Sequence, residues 1–241
     1  MDWTGHIAPA VIPIFLPVLF WAGYHYHKDR HLPEPLAHLL LAFTLGMLSF
    51  WLGLLLYQGL GVLNLRFDAF ELARSHPVGL LFYAVFAIGV IEELAKIIPF
   101  FIVVLRFREF NEPVDGIIYA SFIALGFAAV ENFHYLPYLT GAEALARGFA
   151  GPVVHIVFAS IWGYYIGCAR LRGSALAKPI LASLAVTAVL HGAYDYAVIA
   201  LPVSALPASA LLVLGIWVWR LRLMRTLQRR SLGSIGQDRL T

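Results

Sequence analysis

The chain has 241 residues, of which 61% are hydrophobic and 13% charged, and its formal net charge at pH 7 is +3. Soluble domains are about 45–50% apolar and about 25% charged, so this composition excludes a soluble globular protein and indicates a polytopic membrane protein. The single cysteine, Cys168, excludes an internal disulfide and any zinc or iron–sulfur site built from several cysteines. The basic residues lie in loops between apolar runs, so the net charge does not indicate a nucleic-acid partner.

Apolar runs long enough to cross a bilayer predict an all-α bundle of about seven transmembrane helices. The predicted spans are 7–25, 36–61, 78–105, 115–138, 152–169, 178–200 and 205–223. Residues 1–223 are therefore predicted to form one membrane-embedded domain, followed by a basic cytoplasmic tail at 224–241. Three prolines in the first run, Pro9, Pro13 and Pro17, each remove a backbone donor, so we expect this helix to be bent.

Lysine and arginine residues are divided unequally between the two sides of this bundle. Thirteen fall on the side of the C-terminus and three on the other side, while Lys96 lies inside a span. Because cytoplasmic loops carry the excess of basic residues, the N-terminus is predicted to lie outside and the C-terminus in the cytoplasm. We expect an integral multi-pass protein of the cell (inner) membrane, surrounded by the lipid bilayer.

The third span contains three charged residues, Glu92, Glu93 and Lys96. A charged side chain at mid-helix costs about 2.5–3.5 kcal/mol on insertion scales, so these groups must pair, face water or bind a metal. Glu92 and Lys96 are four residues apart and are predicted to pair on one helix face, which leaves Glu93 on a neighbouring face. A structural ion pair that fixes helix packing explains this motif equally well when it is taken alone.

The fourth span carries Phe127 and Glu131 on one face, followed by Asn132. The amide of Asn132 can hold a carbonyl oxygen or an oxyanion, which is a catalytic function. The alternative is a hydrogen-bonded clamp between two membrane helices.

The fifth and sixth spans contain intramembrane histidines, His155 and His191, and the sixth also carries Asp195. The spacing of His191 and Asp195 allows both to bind one ion, or allows the carboxylate to orient the imidazole. A single intramembrane histidine is more often a packing element, but two of them beside several carboxylates favour a shared site. At 1.5 Å per helical residue, all these groups fall between mid-membrane and the outer leaflet.

The order of these motifs resembles the PrsW family of intramembrane proteases. That family belongs with the CAAX prenyl proteases and bacteriocin-immunity-like membrane enzymes, and it is distantly similar to a membrane subunit of gamma-secretase. The resemblance covers about residues 80–200. The motifs that carry it are Glu92-Glu93-x-x-Lys96, Asp115-Gly116, Gly126-Phe127-x-x-x-Glu131-Asn132, His155 and His191-Gly192-x-x-Asp195.

The resemblance implies an intramembrane endopeptidase that cuts a membrane-anchored protein, with an anti-sigma factor as the best-known class of target. The catalytic residues that it implies are Glu92, Glu93, Glu131, His155 and His191, and the supporting residues are Lys96, Asn132 and Asp195. Glu92 or Glu93 is expected to activate a water molecule. A divalent metal such as zinc, where one takes part, is expected to bind Glu131, His155 and His191. The prenyl-protease branch usually has histidine in place of Glu131, which leaves the ligand set of the metal open. A metal-free glutamate mechanism is the alternative.

Two other classes of protein fit the same polar groups. A proton-coupled transporter also strings carboxylates and histidines through a helical bundle, but such proteins often have an internal repeat, and the sequence shows none. A non-catalytic scaffold or immunity-type protein would tolerate replacement of the glutamates by glutamine. We therefore favour the peptidase.

Overall fold

A computed structural model describes the chain as a bundle of helices. The backbone is described for residues 4–28, 33–138, 141–201 and 206–238, and the side chains for 15–28, 33–138, 143–201 and 207–229. Within these ranges there is no β-strand. The helices are α1 (Thr4–Lys28), α2 (Leu36–Val62), α3 (Ala69–Ser75), α4 (Pro77–Tyr83), α5 (Val90–Ile102), α6 (Pro113–Tyr135), α7 (Gly141–Leu171), α8 (Ala177–Ala200) and α9 (Leu206–Asp238). A π-helical segment, Ala84–Gly89, joins α4 to α5, and short 3-10 turns at Val104–Arg106 and Leu136–Tyr138 follow α5 and α6.

Five helices in the described part of the chain are long and apolar enough to cross a membrane. They are Leu36–Val62, Pro113–Tyr138, Glu143–Leu171, Ala177–Ala200 and Pro207–Arg229. The prediction of an all-α membrane protein is therefore confirmed, whereas the count of seven spans and the orientation stay predictions. The predicted first span includes residues 7–14, whose side chains lie outside the described part. The predicted third span corresponds to α4, the π-helical segment and α5, which follow one another without a break over residues 77–102.

The central helix of the bundle is α6. It begins at a capping box, in which the Asp115 carboxylate accepts the backbone N–H groups of Asn111 (2.9 Å) and Glu112 (2.7 Å), and Pro113 occupies its first turn. Its side chains are apolar on every face, as expected for a helix that neighbours cover all round, and α1, α2, α5 and α7 pack against it. Glu131, near the end of α6, is thereby held inside the protein.

Two glycines allow α8 to approach the π-helical segment at backbone distance. A Cβ atom placed on Gly192 would lie 2.5 Å from the Cα atom of Val85, and one placed on Gly89 would lie 2.4 Å from the carbonyl oxygen of Ala188. Any larger residue at either position would force the two helices apart. This contact brings His191, the neighbour of Gly192, against the start of α5.

The C-terminal helix continues beyond the boundary predicted at residue 223. The side chains of Met224 and Leu227 are buried against the core of the bundle, while the division into a domain and a tail stays a prediction. Arg220, one of the thirteen basic residues predicted on the side of the C-terminus, is also buried, and it donates hydrogen bonds to the hydroxyls of Ser160 (2.7 Å) and Ser121 (3.0 Å). Removing Arg220 from the thirteen basic residues leaves twelve on that side, so the asymmetry that predicts the orientation persists.

Candidate active site

Helix α5 places Glu92, Glu93 and Lys96 in the interior of the bundle, where all three are buried. The Lys96 ammonium donates a hydrogen bond to Oε1 of Glu93 at 2.7 Å, so the predicted pairing of Lys96 with Glu92 is wrong. Residues three and four positions away share nearly the same helix face, so neighbouring helices decide between them. Here the Lys96 side chain lies over the Phe127 ring, 4.5 Å from its centroid, and its ammonium approaches His155.

The Glu93 carboxylate is held by donors from three helices. Besides Lys96, it accepts a hydrogen bond from the indole Nε1 of Trp162 at 2.8 Å and one from Nδ1 of His191 at 2.8 Å. Because a carboxylate can only accept, Nδ1 of His191 carries a hydrogen, and in the neutral imidazole Nε2 keeps its lone pair. Glu93 therefore fixes both the orientation and the tautomer of His191, as carboxylates do behind metal-binding histidines.

The free nitrogen of His191 faces two further carboxylates. Nε2 lies 3.6 Å from Oε2 of Glu92 and 3.7 Å from Oδ2 of Asp195. Both distances exceed a hydrogen bond. Oε2 of Glu92 is buried and has no hydrogen-bond partner among the described residues. An unpaired buried carboxylate oxygen is costly, so this position favours a cation or a bound water.

His155 is held from the opposite side of the cluster. Its Nε2 lies 2.8 Å from Oε2 of Glu131, and its Nδ1 lies 3.1 Å from the Lys96 ammonium. Since Glu131 also accepts, Nε2 carries the hydrogen and Nδ1 keeps the lone pair. Glu131 pairs with a cation through its other oxygen, which lies 3.1 Å from Nη2 of Arg147.

Glu92, His155 and His191 form a group that could hold a metal ion. Each offers one ligand atom, these atoms all lie within 4.8 Å of one another, and all three residues are buried. In a tetrahedral zinc site with bonds of about 2.0–2.1 Å, ligand atoms lie about 3.4 Å apart, close to the separation of His191 Nε2 and Glu92 Oε2. Two imidazoles and a carboxylate, with one open position, are a set that catalytic zinc sites use. The donor set therefore fits a divalent metal.

This group differs from the predicted ligand set at one position, because it contains Glu92 where we expected Glu131. Both oxygens of Glu131 contact other groups, namely His155 and Arg147. Both nitrogens of His155 are also in contact, with Glu131 and Lys96, so a metal bound by Nδ1 of His155 would take the place of its contact with the Lys96 ammonium. Of the eight predicted site residues, the structure brings seven into one connected cluster: Glu92, Glu93, Lys96, Glu131, His155, His191 and Asp195. Asn132 is buried beside Gly151, and its amide nitrogen and oxygen have no hydrogen-bond partner among the described residues.

Comparison with known proteins assigns the family. Residues 34–221 match the model of the PrsW family of intramembrane metalloproteases. The chain belongs to this family. The resemblance seen in the sequence is thus confirmed, and with it the prediction that the protein is an intramembrane protease.

Curated PrsW proteases of several bacteria are similar to the chain over most of its length. The chain is 31% identical over 194 residues to a protein named "Protease PrsW" of Clostridioides difficile (strain 630), covering 78% of this chain and 76% of the relative. It is 33% identical over 187 residues to "Protease PrsW" of Bacillus subtilis (strain 168), covering 77% of this chain and 80% of the relative. No solved structure matches the chain significantly.

Two residues that contact the cluster were not predicted from the sequence, Trp162 and Arg147. Trp162 lies in the middle of a span, whereas membrane tryptophans concentrate at the interfaces. Its unusual depth could therefore have indicated a buried partner for its indole N–H. It donates to Glu93 and packs edge-on against Phe100, with ring centroids 5.1 Å apart. Arg147 precedes the predicted start of the fifth span and was counted only as a basic residue of an outer loop. No local sequence pattern distinguishes it from other loop arginines.

Proposed function

We propose that this PrsW-family protease hydrolyses a peptide bond of a membrane-anchored protein at the cluster of Glu92, His155 and His191, with a divalent metal such as zinc as its cofactor. The observation that supports this most directly is the convergence of three ligand atoms, from α5, α7 and α8, within 4.8 Å of one another. A bound divalent ion supplies Lewis-acid polarisation of a carbonyl and makes water nucleophilic at neutral pH.

The other polar residues act through this group. Glu93 orients His191, while Lys96 and Trp162 hold the Glu93 carboxylate in place. Glu131 orients His155 in the same way. Because Glu93 already accepts three hydrogen bonds, we assign it an orienting function and leave the proton transfer to a carboxylate with free lone pairs.

Asp195 is the carboxylate available to the reacting atoms. Its side chain is 20% exposed and lies 3.7 Å from Nε2 of His191, where it can accept a proton from the attacking water. We further propose that Asn132, whose buried amide has no hydrogen-bond partner among the described residues, donates a hydrogen bond to the oxygen of the scissile carbonyl as negative charge develops there.

The substrate class follows from the family and from the position of the site. An intramembrane protease acts on a protein, and a site held between membrane helices favours a substrate with a membrane anchor. An anti-sigma factor is the specific class that we propose. We further propose that the protein resides in the cell membrane with its N-terminus outside.

Cleavage of a single-span reporter by the full-length protein in membranes tests this function. Replacing Glu92 by Gln or His191 by Ala is expected to reduce cleavage to the background level, and so is treatment with a metal chelator, with recovery on addition of zinc. Trp51→Phe, on the exposed face of α2, is the matched control and should cleave normally. Full cleavage by folded Glu92→Gln and His191→Ala proteins would refute the proposal.

A further inference from the structure

Arg147 connects the cluster to the exposed end of the bundle. It lies in α7, two turns before His155, and its side chain is 34% exposed. Its guanidinium group lies over the ring of Tyr135, 4.2 Å from the centroid, and its Nη2 lies 3.1 Å from Oε1 of Glu131. The contact with Tyr135 fixes the guanidinium plane, so the arginine is held at Glu131 from two directions.

The ion pair with Arg147 determines what Glu131 can do. One oxygen of Glu131 contacts Arg147 and the other contacts Nε2 of His155. With both oxygens engaged, Glu131 orients the imidazole so that Nδ1 of His155, which lies 3.1 Å from the Lys96 ammonium, faces the cluster. Without Arg147, the buried carboxylate would lose the cation that compensates its charge. It would then be free to turn away from Nε2 of His155, which would leave that imidazole without its orienting partner.

We propose that Arg147 is a positioning residue of the protease, which holds Glu131 in the orientation in which it orients His155. This inference rests on the proposed function. The connected contacts Arg147–Glu131–His155 carry it, since each step is within ion-pair or hydrogen-bond distance.

A structural role for Arg147 predicts different behaviour. A purely structural arginine would lower the stability of the protein when it is removed, because the buried Glu131 carboxylate loses its cation. It would change neither metal affinity nor turnover once the variant has folded. A residue that contacted the substrate directly would change KM more than kcat. A positioning residue acts through Glu131, so its effect must disappear when Glu131 can no longer act.

The test is a double-mutant cycle with the purified full-length protein in lipid vesicles. For each variant, reporter cleavage gives kcat and KM, and chelator competition gives the zinc affinity. Arg147→Met is expected to lower zinc affinity about 10–100-fold, as loss of an orienting partner does, and to lower kcat with KM changed less than about threefold. Arg147→Lys should restore part of both. Arg74→Met, which removes an exposed arginine from α3, should leave both unchanged.

The variants with Glu131→Gln decide between the roles. If Arg147 acts through Glu131, the double variant should have the same kcat and zinc affinity as Glu131→Gln alone. Losses in the double variant that equal the sum of the two single losses would overturn the inference. So would an Arg147→Met protein with the kcat and zinc affinity of the wild type. Should Arg147→Met fail to fold, Arg147→Lys replaces it in the cycle under the same criteria. A wild-type protein that cleaves without binding zinc would contradict the proposed metal, and additivity in kcat would still decide the role of Arg147.

Discussion

Two adjacent glutamates have different surroundings in this site. Glu93 accepts hydrogen bonds from Lys96, Trp162 and His191, whereas Glu92 has a buried oxygen with no partner among the described residues. The unpartnered oxygen lies 3.6 Å from the free nitrogen of His191. The chemistry of the two carboxylates should therefore differ, with Glu92 available to a metal and Glu93 occupied in orienting His191.

The two glutamine variants should separate these functions. Glu93→Gln is expected to lower zinc affinity about 10–100-fold, because it weakens the orientation of His191. Glu92→Gln removes a ligand and should lower the affinity further. Chelator competition with the purified proteins measures both constants. Equal affinities in the two variants would contradict this division.

Trp162 should contribute to stability through its hydrogen bond to Glu93. Trp162→Phe keeps an aromatic ring beside Phe100 but leaves one buried carboxylate oxygen without its donor. We expect a loss of about 1–3 kcal/mol in the free energy of unfolding and lower cleavage. Thermal or denaturant unfolding in detergent measures the change, with Trp51→Phe as the control. A Trp162→Phe protein as stable as the wild type would show that this hydrogen bond is unimportant.

At the scale of the elements, the site depends on the contact of α8 with the π-helical segment. Gly192 and Gly89 set this distance, and His191 lies next to the contact. π-helical turns occur frequently at functional sites, where they change the register of a helix. In this protein the turn directly precedes Val90, the first residue of the helix that carries the two glutamates.

Gly192→Ala should push α8 away from the π-helical segment. We expect overpacking to cost about 1–3 kcal/mol of stability, and cleavage to fall because His191 moves relative to Glu92 and Glu93. Gly215→Ala is the matched control, because a Cβ atom there meets no atom within 4 Å and alanine favours the helix. Unfolding and cleavage assays on the two variants test the contact. Normal stability and activity of Gly192→Ala would contradict it.

Sequence periodicity predicted which residues share a helix face better than it predicted the contacts between helices. The spacing of His191 and Asp195 and the shared face of Phe127 and Glu131 followed from helix geometry, because both residues of each pair belong to one helix. Helix geometry did not predict whether Lys96 pairs with Glu92 or with Glu93, since both glutamates lie near the same helix face as Lys96. The other two donors to Glu93, Trp162 and His191, come from other helices, so spacing within one helix could not reveal them. A π-helical turn has no sequence pattern that periodicity detects.

At the scale of the whole molecule, the unequal distribution of basic residues predicts the orientation in the membrane. In a Cys168→Ala background, Ser75→Cys in α3 should react with a membrane-impermeant maleimide in intact cells, because that side is predicted to lie outside. Ser174→Cys, between α7 and α8, should react only after lysis. Both serines are exposed in the structure. The reverse pattern of labelling would contradict the predicted orientation.

The sequence predicted the membrane class of the whole molecule because burial of apolar surface in lipid requires long hydrophobic runs. It did not predict the packing at the end of the chain. Arg220 was counted among the basic residues of the cytoplasmic side and Met224 was placed in the tail, yet Arg220 is buried among hydroxyls and Met224 packs against the core. Composition cannot show which face of a basic helix meets other helices.

The central claim is that groups from α5, α7 and α8 form one metal site. X-ray absorption spectroscopy of the purified, zinc-loaded protein tests it most directly, together with the same measurement on Glu92→Gln and His155→Ala. We predict a single bound zinc with two imidazole ligands and oxygen ligands, and loss of one imidazole from the spectrum of His155→Ala. An active wild-type protein that retains no metal, or a zinc spectrum unchanged in both variants, would contradict the claim.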